Sequence, residues 1–185
     1  MNFYLNIINI IPAYISYQRV NKYSNNKKDI TLMIPNIYLY KVLKILKDNT
    51  NTLYKQLIDI VCVDFPERLN RFELNYCLLS LKYNNRINIK TFNDEIISMN
   101  SIMNIYPNAN WSEREVWDLY GVLFINNTDL RRILTDYGFE GYPMRKDFPL
   151  SGYIEVIYQD SSKSIKYVNL ALTQQFRMFQ YDTKW

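Results

Sequence analysis

The reactive side chains of this sequence are few, and their types limit its chemistry at once. Its 185 residues contain no histidine, which removes Ser-His-Asp and Cys-His nucleophiles, His-containing zinc sites and His-ligated haem together. The two cysteines, Cys62 and Cys77, are too few for a cysteine-ligated cluster or a disulfide framework and form no Cys-x-x-Cys pair. Both are expected to be buried structural thiols.

The carboxylates Glu113, Glu115 and Asp118 could in principle be an acid-base pair or hard ligands for a divalent cation, as in a hydrolase using Glu113 with Asp118. On a helix, however, Glu113 and Glu115 project about 200° apart. Ser112-Glu113-Arg114-Glu115 reads instead as a capping box, with Ser112 and Glu115 exchanging bonds with each other's backbone N–H. Arg114 and Asp118, four apart, can pair, for a few tenths of a kcal/mol if exposed. The helix is expected to start at Ser112 and to stop at Gly121 in the left-handed position.

The cations point to contact rather than catalysis. From Leu130 to Gly152 no helical or strand period exists, yet Arg131, Arg132, Arg145 and Lys146 interleave with Tyr137, Phe139, Tyr142 and Phe148 beside Asp136, Glu140 and Asp147. All four glycines of the chain lie between 121 and 152. Irregular stretches this long are uncommon unless functional, and aromatic and Arg anchors suit a protein interface. Residues 130–152 are therefore expected to be a docking segment held by a partner rather than by their own core. Arg131 and Arg132 are the candidate anchors, either of which could brace the loop through Asp118 or Asp136; the alternative is a surface loop folded back on its own domain.

Regular elements must position these residues. Pro35 followed by Leu39, Val42, Leu43 and Leu46 predicts a helix up to Lys47-Asp48-Asn49, with lysines 41, 44 and 47 on its solvated face. Leu57 to Phe65 reads as a strand buried on much of both faces and ended by Pro66. Phe72 to Leu78 and Arg86 to Thr91 read as strands joined through an Asn84-Asn85 turn. Ile96 to Tyr106 reads as a helix with Met99, Ile102 and Met103 on one stripe. Ile154 to Tyr158 and Ile165 to Val168 bracket Asp160-Ser161-Ser162 as a hairpin. The fold class expected is α+β, with helices on one side of a mixed β-sheet over residues 1–129 and an extended irregular segment over 130–185, carrying that hairpin and a tail.

Composition narrows the class further. Ile and Asn occur 22 times each against 4 Gly and 3 Ala, the usage of an A+T-rich genome, which makes an organelle-encoded protein plausible. No run of 18 apolar residues is present. The apolar stretch Phe3 to Tyr17, interrupted by Asn6, Asn9 and Pro12, lacks signal-peptide and transit-peptide features and reads as a packed strand or short helix. The net charge of +4 is uneven, since residues 1–55 carry +6 and the remainder −2. That basic first third motivates a rival reading as an organelle-encoded RNA-binding or ribosomal protein, and the balanced charge beyond it speaks against.

Three blocks carry a resemblance: Glu113 to Gly121 (Glu-Arg-Glu-Val-Trp-Asp-Leu-Tyr-Gly), Leu130 to Gly141 (Leu-Arg-Arg-Ile-Leu-Thr-Asp-Tyr-Gly-Phe-Glu-Gly), and Arg145 to Tyr153 (Arg-Lys-Asp-Phe-Pro-Leu-Ser-Gly-Tyr). In order and density they resemble the subunit 9 family of mitochondrial NADH:ubiquinone oxidoreductase, a family with bacterial members as well. The resemblance is strongest from Arg86 to Tyr153 and includes the final Trp185. It implies a non-catalytic hydrophilic subunit of respiratory complex I, bracing and assembling the quinone-reducing module of the peripheral arm. The implied location is peripheral, on the matrix side of the mitochondrial inner membrane, touching the membrane only through the complex. The implied partners are other peripheral-arm subunits, above all the large quinone-module subunit, and no nucleic acid. No cofactor is implied for this chain; iron-sulfur clusters, FMN and ubiquinone belong to the rest of the complex. Partner contacts are expected at Arg131, Arg132, Tyr137, Phe139, Arg145, Lys146, Asp147 and Phe148. Two positions depart from the family, which usually has His at Asn127 and often at Tyr142; both residues here can still donate a hydrogen bond.

Overall fold

The computed structural model describes residues 16–19 and 30–180; Phe3 to Ile15 and Trp185 lie outside them. Five strands form the main sheet: β1 (Ser16–Arg19), β2 (Ile30–Met33), β3 (Gln56–Asp64), β4 (Phe72–Ser80) and β5 (Asn85–Asn93), in the order β1-β2-β5-β4-β3. β2 and β5 run parallel and every other pair is antiparallel, so the sheet is mixed as expected. Alternation explains its single buried face. Phe72, Leu74, Tyr76 and Leu78 of β4, with Ile87 and Ile89 of β5, are sealed, while Asn75, Cys77, Asn88 and Lys90 are only half-covered.

Helix α1 (Asn36–Asp48) supplies Leu39, Val42, Leu43 and Leu46 to the same core, and Lys41 and Lys44 remain exposed. Helix α2 (Ala109–Tyr120) packs along β3 and adds Ala109 and Val116. No helix among the described residues is long and apolar enough to cross a membrane.

Several expectations need correction. β3 is buried on one face, because a bulge between Leu57 and Asp59 lets both Leu57 and Ile60 point inward. Ile58, the extra residue, is turned outward together with Val61. Ile96 to Tyr106 is not a helix. Met99 and Ser101 donate their N–H groups to Leu123 and Ile125, forming β6 (Met99–Asn100) against a parallel β7 (Phe124–Ile125). Only a single turn at Ile102 to Tyr106 remains. The apolar spacing is satisfied by burying Met99, Ile102 and Tyr106 from an irregular chain, leaving Ile96 at the surface. The hairpin between β4 and β5 forms as expected, over a longer turn in which Asn84 takes φ +45°.

The capping box is also absent. α2 begins at Ala109, because Ala109, Asn110 and Trp111 already bond back to Tyr106, Pro107 and Asn108. Ser112 lies inside the helix, its hydroxyl 3.4 Å from Asp59, and Glu115 is solvent-exposed. Asn108, the true N-cap position, spends its amide on the Leu57 carbonyl of β3 at 2.8 Å. Gly121 does close the helix in the left-handed region, at φ +77°. Beyond residue 152, β8 (Ile154–Gln159) and β9 (Ser164–Asn169) form the expected antiparallel hairpin.

Candidate docking surface

α2 is the post on which the irregular segment is hung, and three buried groups of the helix hold it. Glu113, with no solvent exposure, accepts from Ser101 Oγ at 2.7 Å, Ile102 N at 2.8 Å and Asn127 Nδ2 at 2.8 Å. Burial raises its pKa, against the pull of those donors. Arg114 does not pair with Asp118. It lies over the Trp111 ring, donates to the Arg131 carbonyl at 3.3 Å and approaches Asp129 at 3.9 Å.

Asp118 takes the central role. Its buried carboxylate accepts from the consecutive N–H groups of Ile133, Leu134 and Thr135 at 3.1, 2.7 and 3.0 Å, from Thr135 Oγ1 at 2.6 Å and from Arg132 at 3.4 Å. Burial would raise its pKa, yet the hydrogen bonds from Thr135, Leu134 and Ile133 outweigh that and hold it low. Arg132 is therefore the arginine that braces the loop through Asp118. It also donates to the Gly141 carbonyl at 2.9 Å and lies against Phe139 and Tyr142. Arg131 stays largely in solvent, beside Asp129.

A second fastening lies at residues 145–147. Arg145 donates to the Tyr120 carbonyl at 2.7 Å and stacks on Tyr142 and Phe72. The Lys146 N–H donates to buried Asp64 at 2.8 Å. Arg71 grips Asp64 through two bonds of 2.6 and 2.9 Å, pairs with Glu95 and meets Asp147 at 3.0 Å. Burial acts to raise the Asp64 pKa, but Arg71 and the Lys146 N–H bring it below the ordinary value; Asp147 is lowered by Arg71. No sequence signal marks this cluster of Asp64, Arg71 and Glu95. Asp64 and Arg71 lie seven residues apart in no recognisable pattern, the turn from β3 to β4 brings Arg71 back to Asp64, and Glu95 joins them from 24 residues further on.

The aromatics line a seam behind the loop. Tyr142 packs edge-on to Trp117, and Phe148 contacts both Phe139 and Tyr153. Residues 130–148 are thus held by their own scaffold, which corrects the expectation of a segment held only by its partner. Tyr137 alone among these aromatics projects fully into solvent. Asn127 occupies its position by donating to Glu113 while accepting from the Asp129 N–H at 2.9 Å.

Glu113 and Asp118 each accept several hydrogen bonds from donors of their own chain, and among the described residues no group of three or more His, Cys, Asp or Glu is placed to hold a metal ion.

Beyond residue 152 the chain presents a run of uncovered apolar side chains. On one face of the hairpin the register aligns Val156 with Tyr167 and Tyr158 with Ile165, next to Ile154. All five are exposed, each by more than half of its surface. The opposite face is more polar, with Glu155, Gln159, Ser164 and Lys166 beside Ile157 and Val168. A two-stranded hairpin alone is marginally stable in water, so this apolar face requires cover. Leu172, Phe176, Met178 and Phe179 extend the same exposure along the tail.

Residues 32–154 match the family described as respiratory-chain NADH dehydrogenase, 30 Kd subunit. The chain is 49% identical to NADH-ubiquinone oxidoreductase subunit 9 of Reclinomonas americana, over 99% of this chain and 87% of the relative. It is 46% identical to the protein of that name from Prototheca wickerhamii, over 100% and 93%. With NADH dehydrogenase [ubiquinone] iron-sulfur protein 3 of Arabidopsis thaliana it shares 53% identity over 80% of this chain and 78% of the relative. Among solved structures, a chain of the membrane-bound sulfane sulfur reductase, an archaeal respiratory membrane complex, matches with a TM-score of 0.67 at 26% identity, over 80% of this chain and 85% of that one. The iron-sulfur wording of the plant relative's name does not fit the cysteines here. Cys62 faces the core, where burial pushes its thiol up to about 12, whereas Cys77 sits on the other face of the sheet; a cluster needs several thiolates converging on one point.

Proposed function

The chain belongs to the family of the 30 kDa subunit of respiratory-chain NADH dehydrogenase, and from that premise we propose that it braces and helps to assemble the quinone-reducing module without catalysing a step itself. In this reading it is a peripheral subunit on the matrix side of the mitochondrial inner membrane. Its neighbours are other peripheral-arm subunits, chiefly the large quinone-module subunit. Iron-sulfur clusters, FMN and ubiquinone are held elsewhere in the complex.

The observation that carries this reading is the exposed apolar face of Ile154, Val156, Tyr158, Ile165 and Tyr167. It is tied to the fastened loop by the Tyr167 hydroxyl, which donates to Asp136 at 2.9 Å. The two aspartate fastenings present the outer residues of the loop, Arg131 and Tyr137, in a set position, and the hairpin adds the apolar area an interface core requires. Side chains already committed within the chain, such as Arg132 and Arg145, act by shaping that surface rather than by reaching a partner alone.

The test is Tyr158→Asp combined with Val156→Asp in the intact complex. The variant chain should keep its own denaturation midpoint while the quinone module fails to join the membrane arm, and NADH oxidation with an artificial acceptor should persist in a smaller particle. Full-size assembly with normal quinone reduction would sink the proposal.

A further inference from the structure

The main sheet and the hairpin treat their free edges in opposite ways. β3 is an edge strand of the main sheet. The Phe65 N–H bonds the Arg71 carbonyl, so by alternation residues 61 and 63 also turn their backbone groups to β4, whereas residues 60, 62 and 64 turn theirs to the open side. That side is obstructed. The bulge at Ile58 breaks its line, the Asp59 carboxylate takes the Ile60 N–H at 2.7 Å, and the Asn108 amide takes the Leu57 carbonyl at 2.8 Å. An arriving strand would meet backbone groups already in use, and obstruction of this kind keeps an edge from pairing.

β8 carries no such device. The Leu170 N–H donates to the Tyr153 carbonyl at 2.9 Å, which sets the ladder of the hairpin. Glu155, Ile157 and Gln159 bond β9, while Ile154, Val156 and Tyr158 turn both N–H and C=O to the outer side. Among the described residues no strand or side chain meets those outward groups. β8 pairs with β9 without a bulge and contains neither proline nor lysine. The outer edge of β9 is less open, since Lys166 lies within it, Lys163 precedes it, and lysine at an edge discourages pairing. Thus the residues that supply apolar side chains in β8 also supply its unpaired main chain, and Ile, Val and Tyr all favour the extended state.

We propose that a neighbouring subunit docks by adding an extended strand to the outer edge of β8, turning the two-stranded hairpin into a three-stranded sheet. The proposal rests on the docking role of the hairpin given above and states the chemistry of the partner. That partner is an extended segment of about five residues, the span from Ile154 to Tyr158, whose alternate apolar side chains continue the exposed face. Three strands with one apolar face hold together where two do not. Main-chain hydrogen bonds give such a contact its affinity, and the alternating side chains give it selectivity.

The test is made in the intact complex, with proline placed where an N–H faces outward. Val156→Pro removes one outward N–H, keeps an apolar side chain and leaves the ladder to β9 intact. Full-size complex should fall about tenfold or more, the effect of one main-chain hydrogen bond left unmade in a buried interface. Val156→Ala, which shortens the side chain and keeps the N–H, should assemble close to wild type. So should Ile165→Pro, the equivalent change on the outer edge of β9; a proline that merely disrupted the hairpin would act from either strand. Normal assembly of Val156→Pro would overturn strand addition, even where the paired aspartate substitutions at 156 and 158 block assembly and so uphold docking by the apolar face. Loss of assembly with Ile165→Pro, or equal loss with Val156→Ala, would overturn it as well.

Discussion

Asp118 shows how much one side chain can organise. Five donors from residues 132–135 converge on its carboxylate, so removing it strands three backbone N–H groups and leaves Arg132 without its buried partner. Asp118→Ala should cost about 3 kcal/mol at neutral pH, read from chemical denaturation. The pH dependence follows from the sign of the shift. A carboxyl whose pKa is depressed in the folded state contributes stability above its unfolded pKa of about 3.9, and that contribution is lost as pH falls through the folded value. The gap between wild type and Asp118→Ala should therefore narrow below about pH 4; a gap independent of pH would show that the charge is not what holds the loop. Gly121 and Gly138 provide a second comparison. Both have positive φ, but a Cβ on Gly121 would meet the Tyr142 ring at 2.5 Å and Arg145 at 2.8 Å, while one on Gly138 meets nothing within 4 Å. Gly138→Ala should cost about 1 kcal/mol for its backbone alone. Gly121→Ala should cost about 2–3 kcal/mol more, because ring and guanidinium are both pinned. Equal losses would mean that Tyr142 moves aside freely.

At the scale of elements, α2 illustrates why a local motif is not yet a helix end. Ser-x-x-Glu is a sound start signal, but the turn from Tyr106 to Asn108 had already begun the helix, and Asn108 was free to tie it to β3. Ser112→Ala should accordingly change the midpoint by less than about 0.5 kcal/mol; a loss of about 1 kcal/mol would reinstate the cap. The same competition decided 96–106, where pairing with β7 and capture by Glu113 took the N–H groups that a helix would have used internally. Elements with a continuous apolar stripe and no such competitor, α1 and β4, were legible from the sequence almost residue by residue.

For the whole molecule, stability should be divided between a closed core and an open extension. β4 and β5 lie in the centre of the sheet with sealed side chains, whereas β8 and β9 bury almost nothing within the chain. Hydrogen exchange of the isolated chain should show β4 amides opening only with global unfolding and β8–β9 amides opening far more readily; incorporation into the complex should slow the hairpin and leave β4 unchanged. Uniform protection in the isolated chain would mean the hairpin needs no cover.

By itself the sequence determined the fold class, the helix after Pro35, the central hairpin, the glycine stop at 121, the hairpin after 152 and the family. Each of these rests on spacing within a short stretch or on an ordered run of identities. Only the tertiary structure decided that Arg132 rather than Arg131 reaches Asp118, that Arg114 turns away from it, that a bulge rotates β3, and that Arg71 and Asp64 clasp residues 145–147. The bulge is a matter of strand register, whereas the others depend on which donors converge on a buried carboxylate; that convergence is set by the packing of separate segments, since a buried charge must be paired and hydrogen-bonded.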